Sequence, residues 1–351
     1  MKENPNTNRE DRPRFQKKAT FTEPSVEELT QGIQTGNRGS LARAITLVES
    51  NAEHHFAKGQ QLLQYLLPFT GKSLRIGITG VPGAGKSTFI ESFGTYLCDQ
   101  GFKVAVLTVD PSSSVSGGSI LGDKTRMEKL ANNPSAFIRP SPSSGTLGGV
   151  HRKTRETILL CEAAGFDVIL VETIGVGQSE LVVREMVDFF MLLVLTGAGD
   201  ELQGMKKGIL EITDAIIVNK ADGYNKLMAQ KTCEEYRRIV HFLKPATSGW
   251  ETQAHTCSAL NHEGIENIWS MIKSFEAITK QSGVFEARRN HQTKDWIYSM
   301  VIDQLQSSFF QNKEVKQLLP IIENKVLSGE LTVSGAVNRL FQVYFTSKGT
   351  N

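Results

Sequence analysis

The chain has 351 residues, of which 39% are hydrophobic and 22% are charged, and its formal net charge is +2 at pH 7. This length is sufficient for more than one domain, and the composition is typical of a soluble globular protein. The small net charge gives no indication of a nucleic-acid partner, and no apolar run approaches the roughly 18 residues that cross a membrane.

The first 24 residues are polar and contain no apolar stretch of the kind found in secretory signals, so we expect a disordered arm. The four cysteines, Cys98, Cys161, Cys233 and Cys257, are far apart, which favours free thiols in a cytoplasmic protein. Residues 25–70 are predicted to form a helical segment, because Ser25 and Glu28 fit a capping box and apolar residues then follow helical spacing.

Residues 71–284 alternate apolar strands with helices. The predicted strands are Leu74–Thr79, Val104–Val109, Ala136–Ile138, Val168–Val171, Phe189–Leu195, Ala215–Val218 and His255–Cys257. The predicted helices are Thr88–Asp99, His151–Ala164, Glu180–Val187, Leu202–Thr213, Lys226–Phe242 and Ile265–Ile278. This alternation predicts an α/β fold with a mostly parallel sheet covered by helices on both faces. Ligands of such sheets bind at the carboxyl ends of the strands.

Residues 285–351 are again helical by pattern. Apolar stripes run through Trp296, Met300 and Leu305 and through Leu318 and Ile322. The pattern alone leaves open whether these stripes pack on the chain's own core or form a dimerisation arm.

The first strand leads into a loop that matches G-x-x-x-x-G-K-[ST], the phosphate-binding P-loop. Backbone N–H groups of such a loop cradle phosphates, and the following helix begins with its positive dipole end towards them. Lys86 places a charge between the β- and γ-phosphates, and Ser87 offers a hydroxyl to Mg²⁺. The predicted phosphate-binding residues are Gly80, Val81, Pro82, Gly83, Ala84, Gly85, Lys86, Ser87 and Thr88.

Asn219-Lys220-Ala221-Asp222 follows the strand Ala215–Val218 and predicts a guanine-binding site. The Asp222 carboxylate can accept the N1–H and N2–H groups of guanine, a donor pair that adenine lacks. Asn219 can reach the N7/O6 edge, and the stem of Lys220 can cover the ring. Ser258, Ala259 and Leu260 follow the next strand, where a backbone N–H can meet O6. The predicted ligand is therefore GTP or GDP.

Three acidic residues are candidates for the Mg²⁺ and hydrolysis site. Asp110 and Glu172 each follow a predicted strand, and Asp123 lies in Gly-Asp-Lys-Thr-Arg. Glu172 begins an ExxG motif where many GTPases have DxxG, and it can bind Mg²⁺ through water or orient the attacking water. The N–H of Gly175 can donate to the γ-phosphate. Arg126 and Arg155 are candidates for charge neutralisation.

Two segments are predicted to behave as switches. Residues 110–146 are rich in Ser, Gly and Pro. Residues 197–209 contain hinge glycines at 197, 199 and 204, and Asp200, Gln203, Lys206 and Lys207 can reach phosphate or a partner.

With these motifs the chain resembles the MeaB/ArgK group, the GTPases associated with methylmalonyl-CoA mutase. The resemblance rests on GVPGAGKST, VDPSS, GDKTRM, SSGTLGGV, VETIGVGQSE, GAGDELQGMKKGI and NKADG, and covers about residues 30–345. It implies a P-loop GTPase domain and a homodimer formed through the helices of 285–351. It also implies a chaperone that gates delivery of adenosylcobalamin to the mutase and protects the mutase from inactivation.

The resemblance further implies that Asp110, Asp123 and Glu172 serve Mg²⁺ and hydrolysis, and that 197–209 couples the nucleotide to the mutase. We therefore expect Lys86, Glu172, Asp110 and Lys206 to act in catalysis, and Ser87 to join the three acids at Mg²⁺. The corrinoid should be held by the partner, because the chain has no D-x-H-x-x-G motif. Two alternatives remain, a nickel-insertion GTPase and a kinase of a transport protein. The first would need a His-rich tract or a CxxC motif, and the chain offers only His54-His55.

Overall fold

The structure, a computed structural model, describes residues 23–109, 126–140, 147–173, 179–196 and 207–348. The predicted N-terminal arm therefore lies outside the described residues, except for Glu23 and Pro24. The same is true of most of the two predicted switch segments.

The central element is a seven-stranded sheet in which all neighbouring strands are parallel, as predicted. Its strands are β1 (Leu74–Gly80), β2 (Val104–Val109), β3 (Ala136–Pro140), β4 (Val168–Thr173), β5 (Phe189–Val194), β6 (Ala215–Val218) and β7 (Gln253–Thr256). The strand order is β3-β2-β4-β1-β5-β6-β7, so the P-loop strand lies at the centre. The edge strand β7 begins two residues before the predicted start. Its first residue, Gln253, is exposed and polar, so it lies outside the apolar run from which the strand was predicted.

Helices connect the strands and extend the chain at both ends. They are α1 (Val26–Gln34), α2 (Arg38–Glu49), α3 (Glu53–Leu66), α4 (Lys86–Asp99), α5 (Glu128–Asn132), α6 (Leu147–Ala163), α7 (Ser179–Arg184), α8 (Lys207–Glu211), α9 (Lys226–His241), α10 (Ile265–Gln281), α11 (Val284–Gln311), α12 (Lys313–Leu327) and α13 (Val333–Lys348). The predicted capping box is present. The Ser25 hydroxyl accepts a hydrogen bond from the Glu28 N–H, and the Glu28 carboxylate accepts one from the Ser25 N–H.

Both faces of the sheet are buried. Ile76 and Ile78 of β1 pack with Phe89 of α4 and Phe275 of α10 on one face. On the other face, Leu107 and Ile169 join a core that includes α6 and the apolar sides of α1, α2 and α3. Burial on both faces explains why the strands read as continuous apolar runs. The N-terminal helices therefore share their core with the sheet.

Two buried aspartates tie helices to the edge of the sheet at which the strands begin. Asp188 is 1% exposed; its Oδ1 and Oδ2 each accept from Arg289 of α11 at 2.7 Å. Asp214 is fully buried and accepts from Arg184 Nη1 of α7 at 2.8 Å. Phe285 of α11 also packs into the core of the sheet. The first turns of α11 are thus anchored on the domain that contains the sheet.

The rest of the C-terminal segment has a small core of its own, which contains Val315, Ile322, Leu340 and Tyr344. Along α11, apolar residues lie in solvent: Leu305 of the predicted stripe is 59% exposed, and Val301 beside it is 50% exposed. Ile302, next to this stripe, is 62% exposed. Within the described ranges, no helix is long and apolar enough to cross a membrane.

Candidate nucleotide site

The phosphate-binding loop joins β1 to α4 and is shaped by two close approaches. A Cβ at Gly80 would lie 2.3 Å from the carbonyl oxygen of Leu193, so β1 and β5 come together only with glycine there. Gly85, which precedes α4, has φ +83°, and a Cβ on it would lie 2.8 Å from Asn219 Nδ2. Glycine is needed at both positions, and the loop is closed by an Ala84 N–H to Val81 oxygen bond of 3.1 Å.

Lys86 is the first residue of α4 and is only 8% exposed. Its ammonium donates to the carbonyl oxygens of Gly80, at 2.7 Å, and Val81, at 3.4 Å. Burial lowers the pKa of Lys86, and the carboxylates of Glu172 and Glu180 oppose this shift. The side chain is therefore held inside the loop by neutral acceptors, which phosphate oxygens can replace with charged ones.

A cavity of about 420 Å³ opens beside this loop. It is lined by Pro82, Gly83, Gly85, Lys86, Ser87, Thr88, Arg126 and Glu172. The structure thus brings Lys86, Ser87 and Glu172 into one space at the carboxyl edge of the sheet, together with most of the predicted phosphate-binding loop. Gly80, Val81 and Ala84, also predicted to bind phosphate, are not among the residues that line it. Arg126, a predicted neutralising residue, lines it as well.

Glu172 reaches the cavity because β4 pairs directly with β1, with Glu172 in register with Ile78. The side chain is 5% exposed. Behind it, the hydroxyl of Thr173 donates to that of Thr79 at 2.8 Å, which joins the ends of the two strands. A buried carboxylate is therefore fixed next to the P-loop, and five further residues lead from this strand to α7.

Asn219 links the phosphate end of the site to the base end. It is 2% exposed; its Nδ2 donates to the Ala84 oxygen at 2.9 Å, and its Oδ1 accepts from the Ala259 N–H at 3.1 Å. Lys220 has φ +60°, and its Cε lies 3.9 Å from the position of a Cβ on Gly85. The amide of Asn219 thus holds together the two loops that were predicted to contact the nucleotide.

Asp222 is half-buried, and its Oδ2 accepts from the Ser258 hydroxyl at 2.6 Å. The Ser258 Oγ in turn accepts from the Asn261 N–H at 3.2 Å. One carboxylate oxygen of Asp222 is thereby oriented by the loop that contains Ala259 and Leu260. Leu260 itself is 73% exposed, so its contribution to a base site is limited to its backbone or to an edge contact.

Four predicted site residues, Asp110, Asp123, Gly175 and Lys206, lie outside the described residues. The expectation for Arg155 was wrong. Its guanidinium donates to the carbonyl oxygens of Gln292, at 3.0 Å, and Glu185, at 2.6 Å, because α6 carries it away from the carboxyl edge of the sheet.

Sequence reasoning missed Glu180, which is 4% exposed and near enough to Lys86 to affect its pKa. An acid in the first turn of a helix is ordinarily read as a favourable partner of the helix dipole, so the pattern offered no signal for this position.

The family described as methylmalonyl Co-A mutase-associated GTPase MeaB has a sequence model that matches residues 41–314. A putative GTPase of Caulobacter vibrioides is 49% identical over 91% of this chain and 98% of its own length. The mouse mitochondrial methylmalonic aciduria type A homolog is 43% identical over 91% of this chain and 79% of its own length. A crystal structure of an LAO/AO transport system kinase is similar with a TM-score of 0.72 and 37% identity, covering 91% of this chain and 97% of that one.

Proposed function

The chain belongs to the MeaB family of methylmalonyl-CoA mutase-associated GTPases, and we propose that it uses GTP hydrolysis to gate adenosylcobalamin loading into a mutase of this kind and to protect that mutase. The observation that carries the proposal is the single cavity in which Lys86, Ser87 and Glu172 meet, joined through Asn219 to the guanine-reading segments.

At the phosphate end, Lys86 would exchange the carbonyl oxygens of Gly80 and Val81 for β- and γ-phosphate oxygens. The exchange replaces neutral acceptors by charged ones in a largely buried place, where such contacts are strong. Glu172, fixed beside the loop, would orient the attacking water, and Arg126 would neutralise developing charge.

The donors in this cavity fit Mg²⁺, which prefers hard oxygen ligands and keeps several waters. Ser87 and Glu172 would hold it, one by a hydroxyl and the other by a carboxylate, directly or through water. Asp110 and Asp123 remain proposed ligands from outside the described residues. When bound, the ion neutralises charge on the β- and γ-phosphate oxygens.

Coupling to the mutase is proposed to run through residues 197–209. This segment follows β5, and β5 pairs with β1 on the side opposite to β4. The strands that lead to Glu172 and to this segment therefore flank the P-loop strand. If GTP and GDP bias the segment differently, the mutase binds the two forms with different affinity and shifts nucleotide affinity in return.

The test measures phosphate release with and without purified methylmalonyl-CoA mutase for the wild type and for Lys206→Ala. We expect the mutase to stimulate the wild type more than the variant, with intrinsic hydrolysis less affected. Lys231→Ala, on the exposed surface of α9, is the matched control and should be stimulated as strongly as the wild type. Equal stimulation of all three proteins would contradict coupling through this segment.

The kinase alternative predicts a different product. With γ-labelled GTP, a GTPase releases the label as inorganic phosphate, whereas a kinase transfers it to a protein. We expect the label in inorganic phosphate alone, with and without the mutase. Label retained on any protein after denaturing gel electrophoresis would favour the kinase.

A further inference from the structure

Residues 258–264, here called the base loop, connect β7 to α10 and carry the segment proposed to meet guanine. The loop is closed at its base by two backbone hydrogen bonds between Ser258 and Glu263, of 3.0 and 3.1 Å. On one side it is held by Asn219 and Asp222, through Ala259 and Ser258. These contacts fix the start of the loop, and the Asn261 N–H donates to the Ser258 hydroxyl. They do not include the side chain of His262, which lies on the other side of the tip.

A separate contact fixes the tip. The imidazole Nδ1 of His262 lies 2.6 Å from the hydroxyl oxygen of Ser92, across 170 residues of sequence. Ser92 is 2% exposed, so its hydroxyl is shielded from water, whereas the His262 ring that reaches it is exposed. His262 has φ +60°, a conformation that residues with a side chain adopt rarely. The chain thus turns sharply at His262 and directs its side chain to α4.

Ser92 lies on the helix that Lys86 begins, six residues further along and therefore about 9 Å along the helix axis. The contact consequently joins the phosphate-binding helix to the far side of the base loop. Asn219 already joins the P-loop to the near side of the same loop. With both links present, the base loop is held at two points against the elements that bind the phosphates.

We propose that His262, held by Ser92, is a positioning residue that sets the base loop for guanine and so supports GTP and GDP affinity without a part in hydrolysis. This inference rests on the proposed guanine site at Asp222 and the base loop. His262 acts through the loop, since its side chain is engaged with α4.

The test uses the full chain and measures steady-state GTP hydrolysis and GDP affinity. Ser92→Ala is the main variant, because alanine suits a helix and the substitution leaves the sequence of the base loop intact. It should raise KM for GTP and Kd for GDP about fivefold, as expected for one lost hydrogen bond, with kcat unchanged. Ser274→Ala is the control, because the Ser274 hydroxyl donates to the Ser270 carbonyl oxygen of its own helix, and it should leave KM unchanged.

His262→Gly removes the same contact and accepts the positive φ, so it should raise KM to a similar extent. The double variant should be no worse than the single ones if the two side chains act together. A KM for GTP equal to that of the wild type in Ser92→Ala would overturn the inference, and so would a fall in kcat at constant KM.

Asp222→Asn separates failure of this inference from failure of the proposed guanine site. If that variant binds GTP as the wild type does, the guanine site is wrong and the inference falls with it. If Asp222→Asn loses GTP affinity while Ser92→Ala does not, the guanine site stands and the role of His262 is refuted.

Discussion

Replacement of Asp222 by asparagine should change the base that the protein accepts. In the structure, Ser258 donates to Oδ2 of Asp222, and this hydroxyl can donate equally to an amide oxygen. The substitution therefore keeps the contact with the base loop and presents an amide N–H where the carboxylate would accept from guanine. Hydrogen bonds to a charged group contribute about 1.5–3 kcal/mol each. Because Asp222 is half-buried, we expect a loss of about 2–3 kcal/mol, or about 30-fold to 150-fold in GTP affinity.

Xanthine has a carbonyl group where guanine has its N2 amine, so the variant amide can donate to it. XTP should therefore bind Asp222→Asn more tightly than it binds the wild type. Calorimetric titration of GTP, XTP and ATP into both proteins measures this change in base preference. Equal weakening of GTP and XTP binding would refute the reasoning, since it would mean that the substitution damages the loop and does not alter base recognition.

Three further predictions follow from the described contacts. Lys86→Ala should abolish phosphate release, whereas Glu172→Gln should slow phosphate release far more than it weakens GDP binding. Unchanged phosphate release in Glu172→Gln would remove that residue from the mechanism. We propose that the exposed apolar positions of α11 form a homodimer interface, so Ile302→Glu should be monomeric in light scattering while the wild type and Gln304→Glu are dimeric. A dimeric Ile302→Glu would argue for another interface. Burial lowers the pKa of His255 below its ordinary value of 6.5. Below pH 6.5 the unfolded chain therefore binds a proton at His255 more readily than the folded chain, and the free energy of unfolding falls as the pH is lowered. His255→Gln should reduce the loss of urea resistance between about pH 7.5 and about pH 5.5, and an unchanged loss would contradict this assignment.

The sheet was largely predictable because its strands are buried on both faces. Largely apolar runs of six and seven residues, Leu74–Thr79 and Phe189–Leu195, are what a central parallel strand requires, and they correspond to β1 and β5 of the structure. The P-loop was predictable because its shape requires glycine at fixed positions. A Cβ on Gly80 or Gly85 would lie too close to neighbouring atoms, so the spacing of these glycines is visible in the sequence.

What could not be predicted depends on contacts distant in sequence. Arg155 was a candidate for charge neutralisation, but it lies eight residues after the start of α6 and donates to carbonyl oxygens in the region of α7 and α11. Glu180 and Ser92 carry no local signal, because their surroundings are created by segments that meet only in the fold. The amide of Asn219 was expected to face the base, and the structure adds its contacts with Ala84 and Ala259.

The position of Asn219 also orders events during folding. Its amide joins Ala84, which precedes it by 135 residues, to Ala259, which follows it by 40. Because closing loops of this length costs conformational entropy, we expect these two contacts to form late, after the intervening strands have paired. On the ribosome the P-loop is made long before the base loop exists, so the complete nucleotide site appears only when most of the chain has emerged. We therefore expect a bound nucleotide to slow unfolding of the finished protein and to have little effect on the rate at which the protein folds.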